Sequence, residues 1–359
     1  MLTIQLEVAT PTLTSIGTPT LWAITLAAVV ALLALDFIVT RRPHEVSMRE
    51  AVGWSAFYIA LPLGFAVVVA NVWGSQIGLE YLTGYLVEKS LSVDNLFVFM
   101  LLLTAFAVPA ALQQRVLLYG IIGALVLRGV FIALGAAALA NLGWAFLLFG
   151  AILLLTAAKI LRDQLRGHQG EVDVSQMRSV RLLRRFLPVV EDYRGTRMFV
   201  RQGGRRAATP LLLVVVAVLA TDVVFAVDSV PAVYGITGDP YLVFATNAFA
   251  LLGLRALYFV LKGALSKLVH LGYGLAAILA FIGVKLVLHW AHDVWPATPE
   301  IPTLWSLAVI VVVLGIVTAT SLYATRGRSA EEIPSWAHLA EPGRRRGEQH
   351  AEDDREPTG

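Results

Sequence analysis

Long apolar stretches separated by short polar ones are the feature that most constrains how this sequence can fold. Each stretch is about 20 residues long, the length that an α-helix needs to cross the ~30 Å hydrocarbon core of a bilayer. Helices suit that environment because they satisfy their own backbone hydrogen bonds. The sequence therefore predicts an all-α, polytopic membrane protein. We expect about nine transmembrane helices, at 21–39, 51–70, 81–103, 116–139, 144–161, 210–232, 241–261, 273–289 and 304–323.

The composition agrees with this prediction and limits the chemistry. Hydrophobic residues make up 57% of the chain and charged residues 15%, whereas soluble domains are nearer half and a quarter. The chain has no cysteine, which excludes disulfides, thiolate metal sites and cysteine nucleophiles. A metal ion would need oxygen or imidazole ligands. The net charge of +3 is too small to indicate a nucleic-acid partner.

The basic residues of the loops predict the orientation in the membrane. Cytoplasmic loops carry an excess of Lys and Arg. Such residues occur at 41–50, 104–115, 162–209, 262–272 and at the start of the tail, and are absent from 71–80, 140–143, 233–240 and 290–303. The alternation is complete for nine helices. It puts the N-terminus outside and the C-terminus in the cytoplasm, and we expect a bacterial plasma (inner) membrane.

The chain divides into segments of different character. We predict an external segment at 1–20, two leading helices at 21–72, a first unit at 79–161, a basic cytoplasmic loop at 162–209, a second unit at 210–290, a last helix at 302–324 and a disordered cytoplasmic tail at 325–359. The basic loop is typical of a solvated loop that touches anionic headgroups. Its protein partners are not indicated.

The two units are an internal repeat. The segment "VEKSLSVDNLFVF" resembles "LATDVVFAVDSVPAV", and two acids recur in them 134 residues apart. A basic residue recurs in each of the next two helices, 127 and 126 residues apart. The pairs are Glu88 with Asp222, Asp94 with Asp228, Arg128 with Arg255, and Lys159 with Lys285. Because each unit has three spans, the second copy must be inverted in the membrane, as in many secondary transporters.

Acidic residues within the predicted spans are the candidates for chemistry. A carboxylate at the bilayer centre costs about 3 kcal/mol unless it is neutralised. We predict four metal-binding acids: Glu88, Asp94, Asp222 and Asp228. Supporting oxygens are expected from Asp36, Ser92, Asn95, Ser229 and Asn247. Hard divalent cations such as Mn²⁺, Mg²⁺ and Ca²⁺ prefer such a set, and ligand type does not distinguish them.

Basic side chains in the same spans could also neutralise these acids. The alternative to metal binding is neutralisation by basic side chains in packed ion pairs. The available partners are Lys89, Arg128, Lys159, Arg255 and Lys285.

Residues six apart lie about 120° from each other on a straight helix, so the two acids of each motif share a face only if the helix bends. We expect a helix break at Pro231, which frees the carbonyl near Val227.

Three segments resemble the TerC/Alx family of integral membrane proteins. They are "TGYLVEKSLSVDNLFVF", "RRFLPVVEDYRGTRMFV" and "TDVVFAVDSVPAVYGITGDPYLVFATNAFALLGLRALYF", and the resemblance covers roughly residues 20–290. It implies a link to tellurium resistance and, in several members, to manganese efflux. Other members are associated with metal loading of exported enzymes or with membrane-protein assembly in plastids. The resemblance implies that the repeat acids Glu88, Asp94, Asp222 and Asp228 handle metal.

The sequence thus predicts a transporter that exports a divalent cation, most simply Mn²⁺, by alternating access and with H⁺ as a plausible coupling ion. The partners expected are the bilayer and the transported ion, with no permanently bound cofactor and no nucleic acid. An intramembrane aspartyl protease is disfavoured because the second acid lies in AVDS, not in a GxGD pattern. The remaining alternative is a scaffold for stress response, metal loading or protein assembly.

Overall fold

The computed structural model describes residues 15–39, 47–166, 188–190, 192–202, 205–261 and 269–325, without the side chains of Val39, Asp94, Gln202, Arg205 and Leu261. Almost all of these residues are helical. The helices are α1 (Pro19–Val39), α2 (Met48–Trp73), α3 (Ser75–Ala105), α4 (Ala110–Asn141), α5 (Ala145–Leu165), α6 (Pro210–Tyr234), α7 (Pro240–Leu252), α8 (Leu254–Leu261), α9 (Leu271–Val294) and α10 (Thr303–Ala324).

Most of the helices have the length and composition of membrane spans. Among the described residues, seven helices qualify singly, and α7 with α8 makes an eighth. The prediction of an all-α, polytopic membrane protein is therefore confirmed. Helix α3 does not qualify, because Glu88, Lys89 and Asp94 interrupt its apolar sequence. Its 31 residues extend for about 46 Å at 1.5 Å per residue.

The helix ends follow local sequence rules. Ser47 caps α2 by accepting a hydrogen bond from the backbone N–H of Glu50 at 3.2 Å, and Asp239 caps α7 through Tyr241 N at 2.8 Å. Proline occupies the first position of α6 and of α7, where its missing N–H costs nothing. Asp239 also accepts from Ser15 Oγ at 2.5 Å, which ties the entry of α1 to α7.

The break expected at Pro231 is not present, because α6 is one continuous helix from Pro210 to Tyr234. Pro231 lies in its last turn, and its neighbours Val230 and Ala232 are buried, so packing holds the helix despite the missing N–H. The chain bends instead at Gly253, where α7 and α8 meet at 41°. The interrupted helix is therefore the second of the second unit.

Glycines allow α5 and α9 to pack closely. A Cβ on Gly150 would lie 2.9 Å from the Gly283 carbonyl oxygen, and one on Gly283 would lie 3.1 Å from the Gly150 carbonyl oxygen. These are backbone atoms that cannot move aside. Small residues at such crossings let membrane helices approach each other. The third helices of the two predicted units are joined in this way.

Contacts between the two units are reciprocal. The first helix of each unit packs on the second helix of the other, α3 on α7 and α6 on α4. Corresponding helices of the two units also pack on each other: the first helices α3 and α6, the second helices α4 and α7, and the third helices α5 and α9. The units therefore interdigitate instead of forming two separate bundles.

A β-hairpin that the sequence did not predict precedes α6. Strand β1 (Phe199–Gln202) pairs antiparallel with β2 (Arg205–Ala208). It occupies the end of the predicted basic loop, and residues 167–187 of that loop lie outside the described residues. The predicted external segment up to residue 14 and the tail from residue 326 also lie outside them.

Candidate functional site

Four helices bring polar side chains to a single buried layer around Arg128 of α4. Its Nη1 donates to Glu88 Oε1 of α3 and, at 2.8 Å, to Asn247 Oδ1 of α7. Its Nη2 donates to Asp222 Oδ1 of α6 at 3.2 Å. All four side chains are at most 1% exposed. Two of the predicted metal-binding acids are thus held by one predicted charge partner.

Two amides complete the layer. With its amide oriented to satisfy both bonds, Asn95 of α3 donates to Leu91 O and accepts from Arg128 Nη2, each at 3.1 Å. Asn247 donates to Val243 O at 3.1 Å, which turns its oxygen toward Arg128. Both were predicted as supporting polar residues, and both contact the arginine.

The polar layer separates two apolar clusters. On α4, the residues from Leu112 to Ala124 belong to one cluster and those from Ile132 to Leu139 to the other, with Arg128 between them. On α3 the division falls between Leu91 and Leu96. The charged layer therefore lies near the middle of the helices.

Contacts between α3 and α6 fix their direction and register. Just beyond α6, Thr237 Oγ1 donates to Glu80 Oε2 near the start of α3 at 2.8 Å. Four residues along α3, a Cβ on Gly84 would lie 3.2 Å from Val233, four residues back from Thr237. The helices are therefore antiparallel.

Continuing this register separates the four acids into two levels. Glu88 comes opposite Ser229, and Asp222 comes opposite Asn95. The backbone of Asp94 then lies near the level of Asp222, and Asp228 near the level of Glu88. The six residues between the levels correspond to about 9 Å. Each level combines one acid from each unit, and the guanidinium of Arg128 joins the two levels through Glu88 and Asp222.

Several atoms of the layer have no hydrogen-bond partner within the described residues. They are Glu88 Oε2, Asp222 Oδ2, Arg128 Nε, Ser92 Oγ and Ser229 Oγ. A buried polar atom without a partner costs about 1–3 kcal/mol. The layer therefore retains capacity for another polar or cationic ligand.

The described side chains of the layer do not by themselves make a cluster of metal ligands. Within the described part of the chain, no group of three or more His, Asp or Glu side chains is placed to hold a metal ion. The side chain of Asp94 lies outside that part, and Asp228 is partly exposed on α6 and makes contacts of its own. In this conformation the guanidinium lies between the two buried acids.

The equivalent arginine of the second unit makes a different contact. Arg255 of α8 binds Asp36 of α1, with its Nε 3.0 and 2.9 Å from the two carboxylate oxygens and its Nη2 also donating. The pair is buried. The sequence named both residues but not their pairing, because Asp36 lies outside the predicted repeat.

The predicted lysines do not join the layer. Lys89 and Lys159 make no hydrogen bond or ion pair among the residues described. The Lys89 ammonium lies at the bend, 3.2 Å from where a Cβ of Gly253 would be. Lys285 lines a cleft at the end of the bundle where α6 and α9 end and α3 begins.

That cleft is a second polar region, and sequence reasoning missed part of it. It has a volume of about 730 Å³ and contains Glu80, Lys285, His289 and Glu300 among its lining residues. His289 Nδ1 lies 2.8 Å from Glu300 Oε1. Glu80, four residues after Gln76 and hydrogen-bonded to it at 3.2 Å, could have been noticed as a carboxylate at the end of a span.

Comparisons with known proteins agree that the chain is an integral membrane protein. The model of the integral membrane protein TerC family matches residues 73–329. An uncharacterized membrane protein of Mycobacterium tuberculosis is 43% identical over 318 residues, 86% of this chain and 80% of its own. One from Myxococcus xanthus is 41% identical over 316 residues, 88% of this chain and 96% of its own.

A third relative is described as a membrane-bound redox modulator. This protein, Alx of Escherichia coli K12, is 41% identical over 284 residues, covering 76% of this chain and 87% of its own. No solved structure matches the chain at a significant level. The family match spans more than half of the sequence and includes the helices that form the polar layer. The chain therefore belongs to the TerC family of integral membrane proteins.

Proposed function

We propose that this chain is a membrane transporter that exports a divalent metal cation, with Mn²⁺ as the expected substrate. One observation carries the proposal. Equivalent acids of the two units, Glu88 and Asp222, meet at one buried arginine, and each retains a carboxylate oxygen without a hydrogen bond among the described residues. Buried acids with free coordination capacity suit a ligand that comes and goes more than a fixed structural network.

The proposed topology has nine transmembrane helices in a bacterial inner membrane. Helix α3 is the ninth, since it is long enough to span and its Glu88 binds Arg128 in the buried layer. The N-terminus lies outside and the C-terminus inside. Because the chain has no cysteine, single cysteines report sidedness directly. A membrane-impermeant maleimide should label Asp293→Cys from outside the cell and Arg162→Cys only from the cytoplasmic side; the reverse pattern would refute this orientation.

The proposed machinery is a pair of inverted three-helix repeats, α3–α5 and α6–α9. The reciprocal packing of first, second and third helices supports it. An inversion that exchanges the units also exchanges the two acid levels, because it takes Glu88 to Asp222 and Asp94 to Asp228. The levels then act as equivalent half-sites, one nearer the cytoplasm and one nearer the outside.

Arg128 has a definite role in this scheme. Its guanidinium lies between the levels and binds an acid of each, so it occupies the path between them. A divalent cation that reaches one level must displace the arginine from the acid there. In the return step the arginine and protons neutralise the acids, since an unpaired buried carboxylate is too costly to leave charged. Coupling to H⁺ is part of the proposal.

The direct test is Mn²⁺ uptake into inside-out vesicles. Asp94→Asn and Asp228→Asn each remove one acid from a different level. We expect wild-type vesicles to accumulate Mn²⁺ and both variants to fall to background while remaining in the membrane. Full uptake by both variants would contradict the proposal. Competition by Mg²⁺ and Ca²⁺ in the same assay determines which cation is carried.

The second candidate function is a scaffold for stress response, metal loading or assembly of exported proteins, and the docked hairpin favours it. The relative described as a redox modulator would also fit such a role. The proposal includes neither an enzymatic activity nor a permanently bound cofactor. Deleting residues 169–186 separates the candidates. A scaffold acting through the loop should lose its phenotype, whereas a transporter should keep most of its Mn²⁺ flux.

A further inference from the structure

Exposed arginines cluster on the hairpin and on the turn that leads into it. Two adjoining pockets of about 610 and 480 Å³ share Arg197 and Arg201 in their lining, and Arg194 and Arg206 extend them on either side. All four arginine side chains are exposed. We call these four residues the basic platform.

The basic platform is fixed to the bundle by hydrogen bonds. Thr209 Oγ1 donates to Arg197 O at 2.7 Å, and Thr209 N donates to Met198 O at 3.0 Å. Tyr193 Oη donates to Phe106 O, next to the end of α3, at 2.8 Å. Burial raises the pKa of the Tyr193 hydroxyl to about 12, so it remains a donor at any physiological pH. The arginines are therefore presented on a held surface.

The charges of the basic platform are not balanced within the described residues. Arg201 and Arg206 are directly opposite each other in the hairpin register, and like charges in that position destabilise a strand pair. None of the four arginines forms an ion pair in the described part of the chain. Such a cluster suits an anionic ligand, and guanidinium groups match phosphate geometry well.

The depth of the basic platform indicates where that anion comes from. Residue Ala208 pairs with Phe199 and lies two residues before Pro210, where the apolar helix α6 begins. Arg201 is two residues beyond Phe199, which is at most about 7 Å along a strand. The headgroup region extends roughly 5–7 Å beyond the hydrocarbon core on each side. The guanidinium groups are therefore within reach of lipid phosphates.

An exposed aromatic residue points the same way. Phe199 is 51% exposed and, two residues from Arg201 on the same strand, projects to the same face of the hairpin. An apolar ring beside arginines suits the boundary between acyl chains and headgroups, where the ring is buried and the charges remain at the phosphates. A soluble phosphate would have no use for the ring.

We propose that the basic platform is a binding site for the phosphate of an anionic phospholipid of the cytoplasmic leaflet. Arg201 and Arg206 bind the phosphate, Arg194 and Arg197 extend the positive surface, and Phe199 contacts the acyl chain. Because β2 continues into α6, which carries Asp222, a bound lipid holds the cytoplasmic end of that helix. The site does not depend on which ion the protein transports.

Native mass spectrometry of the full chain in detergent, titrated with phosphatidylglycerol or phosphatidylcholine, tests this site. The variant is Arg201→Gln with Arg206→Gln. The matched control is Arg162→Gln with Arg166→Gln, which removes two exposed arginines at the end of α5. Each basic residue near an anionic surface contributes about a fivefold gain in binding. We expect the dissociation constant of the first bound phosphatidylglycerol to be about 25-fold higher for the variant than for wild type. For the control, it should lie within about twofold of the wild-type value.

Two further arms keep the result interpretable. Arg201→Lys with Arg206→Lys retains the charges, so it should fold like wild type and keep most of the phosphatidylglycerol binding. Equal losses in the platform variant and in the control would overturn the proposal, because only net charge would then matter. Displacement of the lipid by millimolar inorganic phosphate would also overturn it, in favour of a soluble phosphate ligand. Preference for phosphatidylglycerol without such displacement supports it.

Discussion

The two buried arginines at equivalent positions of the proposed repeat differ in how many of their hydrogen bonds and those of their acidic partners are made. Arg255 binds one acid, Asp36, through two nitrogens, and neither residue has an unsatisfied buried atom in the described part of the chain. Arg128 divides its two terminal nitrogens between acids on different helices, and an oxygen of each acid and its own Nε are left without partners there.

This difference suggests different roles for the same side chain. Breaking a closed ion pair costs free energy, because each partner is then left as an uncompensated charge in the apolar interior. Rearranging the hydrogen bonds around Arg128 costs less free energy, because several atoms of that network already lack a partner among the described residues. Arg255 therefore fits a structural role that holds α1 against the bent helix, and Arg128 fits a role in a site whose occupant changes.

The largest expected effect comes from neutralising the acids around Arg128. Glu88→Gln and Asp222→Asn should each reduce Mn²⁺ uptake into inside-out vesicles by about 100-fold or more, since losing a buried charged partner costs roughly 3 kcal/mol. Asp163→Asn, which changes a partly exposed acid at the end of α5, is the control and should transport normally. Wild-type flux in either buried variant would show that the layer is structural.

The closed pair should respond through stability instead of flux. Asp36→Asn leaves Arg255 buried without its counter-charge, which should lower the free energy of unfolding by about 3 kcal/mol. Replacing both, Asp36→Leu with Arg255→Met, should restore most of that loss. Denaturation midpoints in detergent measure both effects. If the double variant were stable but unable to transport Mn²⁺, the structural role of the pair would be wrong.

These contrasts also show what the sequence could predict. The length of the hydrophobic runs was enough to predict the membrane-spanning helices, because any helix that crosses the bilayer needs about 20 apolar residues. The recurrence of acids and arginines was enough to name the polar residues. The pairing of Arg255 with Asp36 could not be predicted, because it depends on how α1 packs against α8. Asp36 also has no counterpart in the predicted repeat that would have indicated a partner.

Two local features were missed for physical reasons. Pro231 has a strong local preference for ending a helix, but buried neighbours in the last turn of α6 outweigh it. Residues 199–202 and 205–208 pair as antiparallel strands although two of the residues that face each other are arginines, a pattern that sequence rules assign to a solvated loop. In both places tertiary contacts decide the structure, and a single sequence does not contain them.

Replacing each arginine by lysine should sharpen the comparison further. Lysine has a single charged nitrogen in place of the planar fork of nitrogens with which Arg128 binds acids on two helices, so Arg128→Lys should reduce Mn²⁺ flux about tenfold while the protein remains folded. Arg255→Lys retains a simple pair with Asp36 and should leave the flux within about twofold. Similar flux losses in both variants would remove the distinction between the two sites.

The smallest expected effect concerns the buried hydroxyls. Ser229 of α6 comes opposite Glu88 in the helix register and has no hydrogen-bond partner among the described residues, and Ser306 of α10 is equally buried and unpaired but outside the polar layer. If Ser229 contributes an oxygen to the occupied site, Ser229→Ala should raise the Mn²⁺ concentration for half-maximal uptake about threefold, an effect near 0.7 kcal/mol. Ser306→Ala should leave that concentration unchanged. Equal values for the two variants would restrict the site to its charged residues, because burial alone would then explain why Ser229 is unpaired.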